Sequence, residues 1–116
     1  LNIPVEILGA PIVRDKDGLA LSSRNAYLTE TERELAPLIY QTLQELSTGI
    51  KSGDKISQIV PQAREKLTNS GFDVDYLEVR SAKTLALISD KIGAEPARIF
   101  VAARLGSTRL IDNIAI

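Results

Sequence analysis

The chain has 116 residues, 44% of them apolar and 25% charged, with a formal net charge of −1 and neither histidine nor cysteine. That balance suits a single globular domain with a modest core, and without a basic excess it offers nothing to neutralise a nucleic-acid backbone. The missing imidazoles and thiols exclude Ser-His and Cys-His nucleophiles, disulfides, and thiolate or imidazole metal sites. No apolar run approaches the length of a membrane span and the first residues do not read as a signal peptide, so no membrane partner is expected and the cytoplasm is the expected location.

The chain opens at Leu1 inside an apolar run, which reads as a piece of something longer. Ile3, Val5 and Ile7 alternate with polar or proline positions and predict a strand over 1–8, with Pro4 keeping its first half off a central ladder. Gly9-Ala10-Pro11 punctuates, and Ile12-Val13-Arg14 resumes an extended run. Asp17-Gly18 is a turn signal, because Gly tolerates positive φ and Asp bonds its own backbone. Asp15 and Asp17, two apart around Lys16, read as a solvated turn and not a metal site, since no third ligand follows at a recognisable spacing. Glu6 and Arg14 read as plain surface charges.

After Leu19-Ala20-Leu21 come two hydroxyls and a guanidinium, Ser22, Ser23 and Arg24, with Asn25 and Tyr27 closing the stretch. Two hydroxyl donors, a guanidinium fork and free loop amides suit an oxyanion such as phosphate. The same residues also make an ordinary polar loop, and spacing alone does not decide between the two.

Thr29-Glu30-Thr31-Glu32 fits a capping box. Leu35, Leu38, Ile39, Leu43, Leu46 and Ile50 mark one helical face, interrupted by Pro37, which predicts a kink or a short helix followed by a longer one starting at Pro37. Asp54 is the expected cap of the next helix, with Ile56, Ile59, Val60, Ala63 and Leu67 as its buried stripe, Pro61 inside it, and Gly71 as a left-handed stop. Phe72 to Arg80 alternates but changes parity after Tyr76, which predicts a strand with a bulge near that residue or with both faces partly buried. Ser81 to Ile88 reads as a turn followed by a short helix or strand, and Ser89 to Pro96 as a polar connection. Arg98 to Leu105 is a strand buried on both faces, Gly106-Ser107 a two-residue hairpin turn, and Thr108 to Ile114 the returning strand. Arg104, Arg109 and Asp112 read as paired surface charges.

These elements predict an α+β fold: a small antiparallel sheet of about three strands covered by two or three helices, with the N-terminal strand as an outlier.

The run D-G-L-A-L-S-S-R-N-A-Y-L over 17–28 resembles the ATP-contacting loop of the pantothenate synthetase family, the counterpart of the KMSKS loop of class I aminoacyl-tRNA synthetases. V-E-I-L-G-A-P-I-V-R at the start and V-A-A-R-L-G-S-T-R-L-I-D-N at the end are similar to the family's entering strand and C-terminal hairpin. The resemblance spans the chain and implies the C-terminal part of a ligase that joins pantoate to β-alanine through a pantoyl adenylate. It also implies that the N-terminal strand is left over from a preceding Rossmann-like nucleotide-binding domain, with 1–10 as the end of that domain and its linker and 11–116 as the C-terminal domain carrying the loop. It implies ATP and Mg²⁺ as cofactors, both shared with an N-terminal domain that carries the paired-histidine motif and the pantoate and β-alanine pockets. It assigns Ser22, Ser23 and Arg24 to phosphate oxygens, Leu21 to backbone and packing beside the nucleotide, and the main chain of Val13 to the adenine, with Asp17-Gly18 as a hinge. It gives this chain no catalytic residue and no metal ligand, implies a homodimer for the full-length enzyme, and implies no turnover by this piece alone. An interaction or dimerisation domain, or a fragment of another class I adenylate-forming enzyme, are the alternative readings.

Overall fold

The computed structural model describes residues 13–88 and 96–116, so the strand expected over 1–8, the boundary near Gly9 to Pro11 and most of the connection from Ser89 lie outside the described residues. A 3-10 turn, Ser23–Tyr27, precedes three helices, α1 (Glu30–Leu35), α2 (Leu38–Lys51) and α3 (Ile56–Asn69), and then three strands, β1 (Asp73–Ser81), β2 (Ala97–Leu105) and β3 (Thr108–Ala115). The strands form one antiparallel sheet in the order β1-β2-β3. This is the α+β arrangement that the sequence predicts.

Local chemistry sets most boundaries. Thr29 and Glu32 form a complete capping box: the Glu32 amide donates to Thr29 Oγ1 at 3.1 Å, and the Thr29 amide donates to Glu32 Oε1 at 2.9 Å. Ala36-Pro37 then separates α1 from α2, as the missing proline amide requires. Pro61, by contrast, sits inside α3 without ending it. At the end of α3 the Phe72 amide reaches the Leu67 carbonyl and the Gly71 amide reaches that of Thr68, both at 3.1 Å, with Gly71 at φ +107°. That is a Schellman closure, and its apolar partners Leu67 and Phe72 are both buried.

Asp54 is a correction. Lys55 occupies the cap position of α3 and no side chain caps it. Asp54 is committed to the preceding turn, where its amide donates to the Gly49 carbonyl at 3.0 Å.

The parity change in β1 is a bulge: the register with β2 shifts between Val74 and Tyr76, which lets Val74, Leu77 and Val79 all face the helices. After β1 the chain turns, with Leu85 left-handed at φ 62°, and returns as a single bridge between Arg80 and Leu87, neither helix nor full strand. β2 is central and almost wholly buried, as its apolar run predicts. Gly106-Ser107 links it to β3, with Leu105 opposite Thr108. The core lies between the sheet and α2–α3, where Ile39, Leu43, Leu46 and Leu67 meet Val79, Ile99 and Val101. β3 is left at the sheet edge, and the 3-10 turn packs against it.

Candidate phosphate-facing loop

The loop begins as a small hairpin. Arg14 and Ala20 form an antiparallel bridge, the Leu21 amide donates to the Val13 carbonyl at 2.8 Å, and the Asp15 amide donates to the Leu19 carbonyl at 2.8 Å. The bend lies at Asp17-Gly18, with Gly18 at φ +92°. Val13 and Leu21 are therefore partners across the hairpin, and both side chains are exposed, at 68% and 51%. Immediately beyond, Ser22 caps the 3-10 turn: its Oγ accepts from the Arg24 amide at 3.1 Å. Ser23 is the first residue of that turn. Asn25 closes the segment by donating from Nδ2 to the Ala20 carbonyl at 3.0 Å.

A cleft of about 310 Å³ runs between this segment, α2 and the edge of β3. Ser22, Arg24 and Asn25 form one wall, Tyr40 another, and Arg109 to Asp112 the third. A second cleft, of about 400 Å³, adjoins it across Arg24 and Arg109 and reaches Tyr27, Ser107 and Thr108. Of the residues singled out from the sequence, the fold thus brings Ser22 and Arg24 to one cleft, while Val13 and Leu21 pair outside its lining. Among the described residues the Arg24 side chain has no ion-pair partner.

Two charges beside the loop, Arg14 and Asp112, depart from their expected surface roles. Arg14 donates to both oxygens of Asp112, at 2.6 and 2.8 Å, and to the carbonyls of Gly18 at 3.0 Å and Asn113 at 3.2 Å. Its guanidinium carbon lies 4.0 Å from the centre of the Tyr40 ring. Asp112 is 3% exposed, and burial pushes its carboxyl above the ordinary range while Arg14 pulls it back. Arg14 and Asp112 are a bidentate pair inside the fold, where a lone carboxylate would be strongly disfavoured. Arg109 turns to Asp75, 2.9 Å from its Nε, and is a partly exposed pair of the expected kind. At the tip of the hairpin Arg33 bridges Asp17 at 2.7 Å and Asp15 at 2.8 Å. The amide of Lys16 and then Arg33 hold Asp15 below the ordinary carboxyl range, and Arg33 does the same for Asp17. The bend is tied at its base and at its tip.

Among the described residues, no three Asp, Glu, His or Cys side chains gather where they could hold a metal ion. The cleft lining holds the Arg24 guanidinium and the Ser22 hydroxyl, groups suited to an anion, beside the paired carboxylate of Asp112.

The sequence matches the family described as pantoate-beta-alanine ligase over residues 1–115. The chain belongs to the pantoate–β-alanine ligase family. It is 50% identical over 117 residues to a pantothenate synthetase of Rhodopseudomonas palustris, and 47% identical over 116 residues to one of Acinetobacter baumannii. Each match takes in 100% of this chain but only 41% and 40% of the relative, so the chain spans about two-fifths of the family members it matches. The fold agrees. A crystal structure of pantothenate synthetase from Thermus thermophilus superposes with a TM-score of 0.78 at 38% identity, covering 90% of this chain and 38% of that one. One of the family enzyme from Francisella tularensis, complexed with beta-gamma ATP and beta-alanine, superposes with a TM-score of 0.60 at 29% identity, covering 91% and 31%.

Proposed function

We propose that this chain is the C-terminal part of a pantothenate synthetase and supplies the loop that meets the phosphates of ATP. The observation that carries the reading is the placement of Ser22 and Arg24 on one wall of a cleft, on a loop tied to the sheet, in a chain that matches the family over residues 1–115. In this reaction a pantoate carboxylate oxygen attacks the α-phosphorus of ATP. The bond to the β-phosphate oxygen breaks, and pantoyl adenylate and pyrophosphate result. The β-alanine amine then attacks the acyl carbon, loses a proton, and expels AMP. Charge grows on the pyrophosphate oxygens in the first step, and donors aimed in advance stabilise it. Arg24 supplies a guanidinium that no ion pair among the described residues occupies, Ser22 and Ser23 supply hydroxyls, and Val13 and Leu21 flank the nucleotide through main chain and packing.

The acid and amine pockets and the paired histidines belong to an N-terminal domain on this reading, and Mg²⁺ would be held chiefly by the ATP phosphates and that domain. The whole enzyme is a cytoplasmic homodimer on the same reading, which gel filtration checks.

The deciding experiment is single-turnover adenylate formation by the full-length protein. Arg24→Ala lowers the rate by about 100-fold, the scale for one lost donor to a developing oxyanion, with folding intact. An unchanged rate refutes the role. This chain alone forms no pantothenate, and turnover by the clean fragment would refute the division of labour between the two domains. An NMR titration with Mg-ATP adds a direct view, with shifts expected at Val13 and Leu21 to Arg24.

A further inference from the structure

We propose that Arg14 is a positioning residue for the phosphate-facing loop: by joining the base of the loop to β3 and to α2 it sets where Ser22 and Arg24 stand in the cleft. The inference rests on the reading of the loop given above.

Arg14 does not itself face the cleft as a free cation. Its two terminal nitrogens are taken by four acceptors, the two Asp112 oxygens and the carbonyls of Gly18 and Asn113. One face of the guanidinium is covered by Tyr40. Its acceptors lie on two elements far apart in sequence: Gly18 in the loop, and Asp112 and Asn113 on β3, the latter two 98 and 99 residues away. A single planar group thus welds the bend of the loop to the sheet edge.

The connection to the site is short. Arg14 is bridged to Ala20, and the next hydrogen bond of the same hairpin joins Val13 to Leu21. Ser22 follows directly and Arg24 two residues later, with Asn25 tied back to Ala20. A displaced Arg14 moves Ala20, whose carbonyl holds Asn25 in the phosphate-facing segment. Asp112 Oδ1 also accepts from the Asn113 amide at 2.7 Å, which helps to hold the carboxylate that receives Arg14. Lysine cannot replace this arrangement. One ammonium has the charge but not the planar fork that reaches both carboxylate oxygens and two carbonyls together.

The test uses the full-length enzyme and compares Arg14→Lys, Asp112→Asn, Arg24→Ala and Leu67→Ala. Leu67 is a fully buried core residue of α3 outside the loop and its clefts, so it reports the effect of lost stability alone. Adenylate formation is followed in single turnover, the KM for pantoate and for MgATP is measured, and the folded fraction is read by circular dichroism at the same temperature. Arg14→Lys and Asp112→Asn each slow adenylation per folded molecule by about tenfold or more, as misplaced catalytic groups do, with the pantoate KM unchanged. Leu67→Ala lowers the denaturation midpoint and leaves the rate per folded molecule as it was. If Arg24→Ala slows the reaction while Arg14→Lys and Asp112→Asn lose only what their folded fraction loses, the positioning role is overturned and the phosphate reading stands. If Arg24→Ala is silent as well, the phosphate reading itself falls and this inference falls with it.

Discussion

The ring of Tyr40 lies directly on Gly18, and a Cβ built on that glycine would fall well inside the contact distance of ring atom Cδ2. Gly18 also sits at φ +92°, where any side chain is strained. Gly71 has the same left-handed character at φ +107°, yet a Cβ there meets nothing within 4 Å. The two positions separate conformational strain from close approach. Gly71→Ala is expected to lower stability by about 1 kcal/mol, the cost of the left-handed backbone. Gly18→Ala is expected to cost about 1–3 kcal/mol more, because it must also push the Tyr40 ring off the loop. Urea denaturation of the two variants checks this. Equal losses would show that the Tyr40 ring gives way freely.

Glu32 serves two neighbours. Its Oε1 completes the capping box of α1, and its carboxylate lies over Gly106 at the turn between β2 and β3. A methyl group on Gly106 would collide with Oε2. The carboxylate is the far end of a flexible side chain, so it can swing clear, and what the fold then loses is the hydrogen bond to the Thr29 amide. Gly106→Ala is therefore expected to carry a cap-loss component of about 1 kcal/mol. In a Glu32→Ala background that component is already gone, and the same substitution costs correspondingly less. A double-mutant cycle by thermal or urea denaturation measures the difference, and additive losses would mean that the turn and the cap are independent.

What the sequence made legible is what depends on near neighbours. The capping box at Thr29 and Glu32, the break at Pro37, the left-handed Gly71 and the bulge beside Tyr76 each follow from a few adjacent residues. The motif proposes Ser22 and Arg24 for the phosphates, and the fold places both in the lining of one cleft. The pairing of Arg14 with Asp112 was not legible. A lone charge on a strand reads as surface because burying it unpaired is costly, and nothing in the local pattern reveals a partner 98 residues away. Tyr40 was hidden for a related reason. It sits on a helix whose core face is read from aliphatic spacing, and its role comes from the guanidinium and the glycine that enclose it. Asp54 misled because an acidic residue before a helix is a good cap in isolation, whereas here its amide closes the preceding turn.

Arg33 holds the tip of the loop through Asp15 and Asp17, and pH should loosen that hold from the acid side. Both carboxyls lie below their ordinary value of 3.8 in the folded protein, Asp15 through the Lys16 amide and then Arg33, Asp17 chiefly through Arg33. The folded state therefore binds these protons less readily than the unfolded chain does. The stabilisation is fully present above the ordinary carboxyl value and disappears as pH falls through the lowered folded values. The groups are exposed, so the effect is modest and screened by salt. Arg33→Gln is expected to lower the melting temperature slightly at neutral pH. The gap from the parent should close as the pH drops below about 4 and the carboxylates lose the charge that Arg33 pairs with. Raising the ionic strength at neutral pH should narrow it too. Melting curves from about pH 7 down to about pH 2, at low and high salt, give both comparisons. A gap that stays constant across that range would show that Arg33 stabilises the loop through packing of its stem and not through the two carboxylates.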